Sequence, residues 1–359
     1  MSAQTQDEQL NFSSTRLMGS WMNQQRVSLA VSSDSANTLL LMGVLEDGTV
    51  SGRLRPIPAC KALRASDSTL WMSSSFQVLR MPEVLRAGGA PRVATDAFFV
   101  PRMAWSTGEI GVEDIAVLAD GSCVLASSQY SCLATVDPVY SMQPLWRPRF
   151  IDAIAREDRC HLNGVAARDG VPAFVTCLST SNTARGWRNA PVDGGVLLDV
   201  ASGEVIASGL SSPQSPRWHA GKLWLLNGGT SEFGHVELDT GRFVPVAFCS
   251  GFARGLSFID GYAAIGVSLL REDTPVGKPL ASVLSNKGVR SRCAVSIVDL
   301  ESGDVCHSLT FTSGVRDVFG VEFLRDATRP ATIDYQSDEF LTRVDVPSQT
   351  LPADTWPSL

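Results

Sequence analysis

SSPQSPRWHAGKLWLLNGGTSEFGHVELDTGR, residues 211–242, reads as one complete sheet module. Pro216 to Ala220 forms a short first strand, and Ala220-Gly221 is a tight turn. Lys222 to Asn227 is an apolar second strand, and Gly228-Gly229 opens a loop. Gly234 to Asp239 alternates as a third strand, and Thr240-Gly241 turns into a fourth that begins at Phe243. Short alternating runs closed by Gly and Asp at this spacing are the pattern of antiparallel β structure.

The same pattern recurs in phase along the chain. First strands are expected to begin near 62, 114, 164, 216, 255 and 317, at intervals of 52, 50, 52, 39 and 62 residues. Repeats of this size predict an all-β fold, a six-bladed β-propeller of four-stranded antiparallel blades, whose radial packing leaves only short protected edges. The last copy lacks an outer strand, and surplus N-terminal strands near 37–55 can supply it and close the ring. A seventh blade stays open if residues 26–58 form a sheet of their own. Residues 1–20 read as a flexible leader, and 21–359 as a single propeller domain.

Composition narrows the function. Of 359 residues, 44% are hydrophobic and 19% charged, enough apolar material for a core. The formal charge of −7 argues against nucleic acid as a partner, since phosphate binding needs a concentrated basic surface. No run approaches the ~20 apolar residues of a membrane span. The polar, acidic N-terminus MSAQTQDEQLNFSS is unlike a signal peptide, so a cytoplasmic location is expected. The eight cysteines form no C-x-x-C pair and no Cys/His zinc spacing, and packing is their expected role.

One face of the disc stands out. Turns from first to second and from third to fourth strands are minimal, as at Asp169-Gly170, Gly221 and Ser302-Gly303. The opposite face carries the long segments 179–194 and 271–292, and loops this long in a compact repeat are usually functional. Crossover residues ahead of each inner strand converge there on the central channel. They are polar: Glu113-Asp114, His161 and Asn163, Gln214 and Ser215, Arg254, and Arg316-Asp317. Unpaired, such groups are costly to bury, so they should form a hydrated network or hold a ligand. Each also has a plain structural role open to it, Asp as a turn acceptor, Arg as an ion-pair partner and His as a packed ring.

Glu113, His161, Arg254 and Asp317 are therefore the candidate catalytic residues. Asn163, Arg185, Trp187, Arg188, Gln214, Arg217 and Arg271 are the candidate substrate contacts. Basic and aromatic groups at a channel rim suit an anionic or planar small molecule. Elbow, P-loop, dinucleotide and H-E-x-x-H motifs are absent from the sequence, which disfavours serine-hydrolase and nucleotide chemistry.

The segments H161-L162-N163-G164, G186-W187-R188, S215-P216-R217, G251-F252-A253-R254-G255-L256 and R271-E272 resemble a bacterial family of conserved hypothetical proteins. More distantly, the repeat is similar to six-bladed propellers of the gluconolactonase and strictosidine-synthase type. That resemblance implies a channel-top site and, from the lactonases, a divalent metal on Glu113, Asn163 and Asp317. In the bacterial family's pattern, histidines stand where this chain has Glu113 and Gln214. A histidine-held metal is therefore not expected, and Arg254 would repel a dication in the same channel. The combined expectation is an enzyme of bacterial specialised metabolism, a lyase, cyclase or isomerase, or hydrolase, its cofactor left open between none and, with less support, a divalent cation. The alternative is a non-catalytic propeller that binds a peptide, a protein or an anionic small ligand.

Overall fold

The computed structural model describes residues 10–86, 88, 94–333 and 338–345. Six four-stranded antiparallel blades surround a central channel, so the seven-blade alternative does not hold. The inner strands are Gly320–Arg325 (blade 1), Leu63–Ser66 (blade 2), Val112–Val117 (blade 3), Leu162–Arg168 (blade 4), Pro213–His219 (blade 5) and Phe252–Ile259 (blade 6).

Ring closure joins the chain ends. Gly320–Arg325 pairs antiparallel with Val27–Ser33, and Thr38–Val44 and Val50–Pro56 complete blade 1. The C-terminal repeat thus contributes one strand and the N-terminal segment three, rather than a single outer strand from 37–55.

The second half of the expected leader is structure. Asn11–Ser14 pairs with Val305–Ser313 and adds a fifth strand to blade 6. Met18–Gln25 is a helix whose Met18 and Met22 are buried between blades 6 and 1. Apolar residues three to four apart explain the helix, because they share one face. Residues 1–9 of that leader lie outside the described residues.

The core sits between neighbouring blades rather than at the axis. Val124 and Ala126 of blade 3 pack against Leu162, Val165 and Val175 of blade 4, all essentially inaccessible. Side chains buried this fully contribute about 1.5–3 kcal/mol each. Seven of the eight cysteines are buried free thiols in these layers, and Cys306 is exposed. Among the described residues, no helix is long and apolar enough to cross a membrane.

Candidate functional site

Four inner strands begin with an irregularity at the same end of the channel. The pairing register shifts between Val112 and Asp114, Leu162 and Gly164, Gln214 and Arg217, and Ala253 and Leu256. A bulge leaves a residue unpaired and re-aims its side chain. In blades 3 and 6 the bulges bring Glu113 and Arg254 together, and Arg254 Nη2 donates a short hydrogen bond to Glu113 Oε2. Gly255 makes this possible: its φ is +80°, and a Cβ there would meet the Val321 amide nitrogen at 2.9 Å.

The two residues line a cavity of about 430 Å³ at the channel mouth. Glu113 is almost fully enclosed, and Ser128 Oγ donates to its Oε1 at 3.2 Å while Lys61 Nζ stands 4.0 Å away. Burial pushes the Glu113 carboxyl up, but Arg254, His161 and Lys61 together outweigh it and hold the pKa at about 2. Glu113 is therefore a permanent carboxylate at neutral pH. It can fix cations, but it has no proton to give.

His161 occupies another wall of the cavity. Its Nδ1 lies 2.8 Å from Asp158 Oδ1, and Trp187 Nε1 donates to Asp158 Oδ2 at 2.8 Å. A carboxylate only accepts, so the proton belongs on Nδ1, which leaves Nε2 free to accept one. The two rings pack with centroids 4.5 Å apart, and Asp158 fixes both. Arg188 stacks over Trp187 at 4.8 Å and has no carboxylate partner among the described residues. Arg271, on the rim, pairs with Asp273 at 3.1 Å.

The remaining wall is Phe319, with the Arg254 guanidinium 3.2 Å above its ring centre and Lys61 at 5.6 Å. Asp34 lies 3.8 Å from Lys61. Burial raises the Asp34 pKa, and the nearby charges of Asp317 and Glu113 add to that against Lys61 and Arg254.

Other expected site residues stand elsewhere. Asp317 accepts from Ser33 Oγ at 2.8 Å, from the Asp34 and Ser35 amides at 3.1 Å each, and from Ser35 Oγ. Its carboxylate is spent on shaping the 33–35 loop. Asn163 donates to Pro213 O at 3.0 Å and accepts from Thr176 Oγ1 at 2.9 Å, tying blade 4 to blade 5. Gln214 is buried within its strand, and Arg185 anchors a loop through its amide, which donates to Glu157 O at 2.8 Å. None of these four lines the mouth.

Arg217 departs furthest from expectation. It forks Asp114 with bonds of 2.7 and 2.9 Å in the channel interior and faces the opposite end. The inner strand descends from the mouth, so a residue beyond the bulge lies deeper than Gln214.

The oxygen-ligand set Glu113, Asn163 and Asp317 is not assembled, since the last two spend their polar atoms on blade contacts. Among the described residues, no cluster of three or more His, Cys, Asp or Glu could hold a metal ion. The segment 271–292 is also less of a loop than expected. Gly277–Asn286 is a helix with Leu280 and Leu284 buried, so Arg271 alone of its basic residues reaches the cavity.

Asp158, Lys61, Asp34 and Phe319 escaped the sequence reading. Lys61 and Phe319 precede the inner strands of blades 2 and 1, as Glu113 and Arg254 precede the strand starts expected at 114 and 255. Asp158 stands three residues before His161, a signal that was present but indistinct in a run of mixed charges.

Comparison with solved structures shows the fold alone. A chain of the nidogen/laminin complex is 13% identical, with a TM-score of 0.51, covering 83% of this chain and 98% of that one. A protein of unknown function from Bacteroides caccae is 12% identical, with a TM-score of 0.48 and coverage of 83% and 99%. A streptogramin B lyase is 10% identical, with a TM-score of 0.42 and coverage of 87% and 82%. No curated protein matches the sequence. A family model does match, over residues 16–333, and the chain belongs to that family, the domain of unknown function DUF4915.

Proposed function

We propose that this protein is an enzyme that transforms a small anionic metabolite at the channel mouth, with His161 as general acid/base. The observation that carries it is the 2.8 Å pairing of His161 Nδ1 with Asp158 at the wall of a cavity that also holds Arg254 and Lys61. A histidine oriented through one nitrogen presents the other to a substrate, and such catalysis contributes about 10²–10⁴-fold. Arg188, with no carboxylate partner among the described residues, suits an anionic anchor on the substrate.

The chemistry follows from these placements. His161 Nε2 removes a proton from carbon beside a carbonyl or carboxylate group. The electron pair moves onto the oxygen that faces Arg254 and Lys61, where positive charge stabilises it. Returning the proton to a neighbouring atom completes an isomerisation, and donating it to a departing group completes a lyase reaction. Glu113, ionised at neutral pH, holds Arg254 in place and takes no proton. A metal-dependent lactonase reaction has less support, because its oxygen ligands are engaged elsewhere.

Turnover of a panel of anionic metabolites, followed by mass spectrometry, tests this reading. A His161→Ala variant that folds normally should lose about 10²–10⁴ of the rate. Arg188→Ala should raise KM more than it lowers kcat. Full turnover by a folded His161→Ala variant would sink the assignment. Tight binding at the mouth without conversion would favour a non-catalytic binding propeller.

A further inference from the structure

The channel's other end holds a second cavity, of about 300 Å³, which shares no lining residue with the mouth. The buried Asp114–Arg217 pair lies between them. Below it, Arg64 of blade 2, Ser257 of blade 6 and Glu322 of blade 1 face one another from three inner strands.

Glu322 is 3% exposed, and its Oε2 accepts from Ser257 Oγ at 3.0 Å. Among the described residues its Oε1 has no hydrogen-bond partner. Arg64 Nη1 stands 3.6 Å from that oxygen, beyond hydrogen-bond length. The Arg64 side chain is 32% exposed and lines the cavity, so its donors are open to a ligand. Arg217, by contrast, spends its fork on Asp114. The two groups attract each other as charges across this distance, yet the enclosed carboxylate oxygen still lacks a direct donor.

That arrangement specifies a ligand. It must bring an anionic acceptor to Arg64 and a donor to Glu322 on neighbouring atoms. The carboxylate and ammonium groups of an α-amino acid have this spacing and both charges. The far wall is aromatic, with the His219 ring stacked on Phe258 at 4.4 Å and 6° beside Trp218. Such a wall suits an apolar or aromatic side chain.

We propose that this cavity binds a free α-amino acid with an apolar or aromatic side chain, its carboxylate on Arg64 and its ammonium on Glu322. Arg64 covers Oε1 through one loose pair, and it swings toward the incoming carboxylate to open the acceptor. Burial pushes the Glu322 carboxyl up and the Arg64 guanidinium down, so an opposite charge beside each relieves both. The site is separate from the mouth, and its existence does not depend on the chemistry proposed there.

Calorimetry on the full chain tests this with L-phenylalanine, L-leucine and L-tryptophan as probes. Two truncated probes go beside them: 3-phenylpropionate lacks the ammonium group, and phenethylamine lacks the carboxylate. Saturable binding of at least one amino acid is expected. Each truncation, and each of Arg64→Gln and Glu322→Gln, should weaken it at least about tenfold, the loss of one charge-assisted hydrogen bond. Absence of saturable binding, or 3-phenylpropionate binding as tightly as phenylalanine, overturns the proposal. If a variant fails to fold, a crystal of the wild type with the bound amino acid decides: a ligand away from Arg64 and Glu322 overturns the proposal as well.

Discussion

Glu113 and Glu322 are two carboxylates in one channel, both almost fully enclosed, and their environments push them in opposite directions. Burial raises each. At Glu113 the hydrogen-bonded Arg254, with His161 and Lys61 behind it, reverses that rise and brings the pKa to about 2. At Glu322 the cations Arg64 and Arg217 do not, and the pKa stays raised. The two differ less in burial than in contact: a guanidinium within hydrogen-bond reach at the mouth, and one at 3.6 Å at the base. At the mouth Glu113 is bonded directly to its guanidinium, whereas at the base one Glu322 oxygen stands 3.6 Å from its guanidinium without a hydrogen-bond partner among the described residues.

The strongest way to break this comparison is to remove what separates the two ends. Arg217→Met leaves Asp114 buried without its fork and should cost about 3–5 kcal/mol in urea denaturation. Replacing Asp114 by Leu in the same chain should recover most of that loss. A single variant that loses less than about 1 kcal/mol would mean that water reaches Asp114 and the ends communicate.

Next comes the pH dependence, where the two carboxylates carry opposite signs. The Glu113 pKa is depressed from 4.5 to about 2, so its stabilisation is present above pH 4.5 and fades as pH falls through 2. It amounts to roughly 3 kcal/mol at neutral pH. Glu113→Gln should therefore be less stable than wild type at neutral pH, with the deficit closing in acid. The Glu322 pKa is raised above 4.5, so its ionisation destabilises the fold as pH rises from there through the folded value. Glu322→Gln should gain on wild type as pH rises. Melting curves of both variants across pH would expose equal signs, and equal signs would remove the distinction between mouth and base.

How much of this was legible in the sequence follows from what each signal encodes. Gly-Asp turns and alternating strands are local, so the six blades could be read from residues such as Ala220-Gly221 and Asp260-Gly261. The mouth was half legible, because Glu113, His161 and Arg254 all stand at the starts of inner strands, His161 just ahead of its strand and the other two at the first bulge of theirs. What sequence could not rank was competition for a polar atom. Asn163 and Asp317 sit at similar places, yet Thr176, Pro213 and the 33–35 loop consume them, and those partners lie in other segments. Glu322 was invisible because it is one acid within GVEFLR, an apolar strand, and its meaning arises from Arg64, distant in sequence but adjacent in the ring.

The smallest expected effect belongs to the rim and sharpens the same contrast. Arg271 pairs with Asp273 at 3.1 Å, but both side chains are about 70% exposed, at 70% and 71%. Exposed pairs contribute little, so Arg271→Ala should change stability by less than about 0.5 kcal/mol. Its charge still lies over the cavity that holds Arg188, Lys61 and Arg254, and it should steer an anion toward them. Association of an anionic ligand at the mouth should therefore slow in the variant at low salt, and the difference should vanish once the Debye length shortens to about 3 Å near 1 M salt. Amino-acid binding at the base should not change. A stability loss comparable to that of Arg217→Met would make Arg271 part of the framework, and the rim would no longer differ in kind from the channel interior.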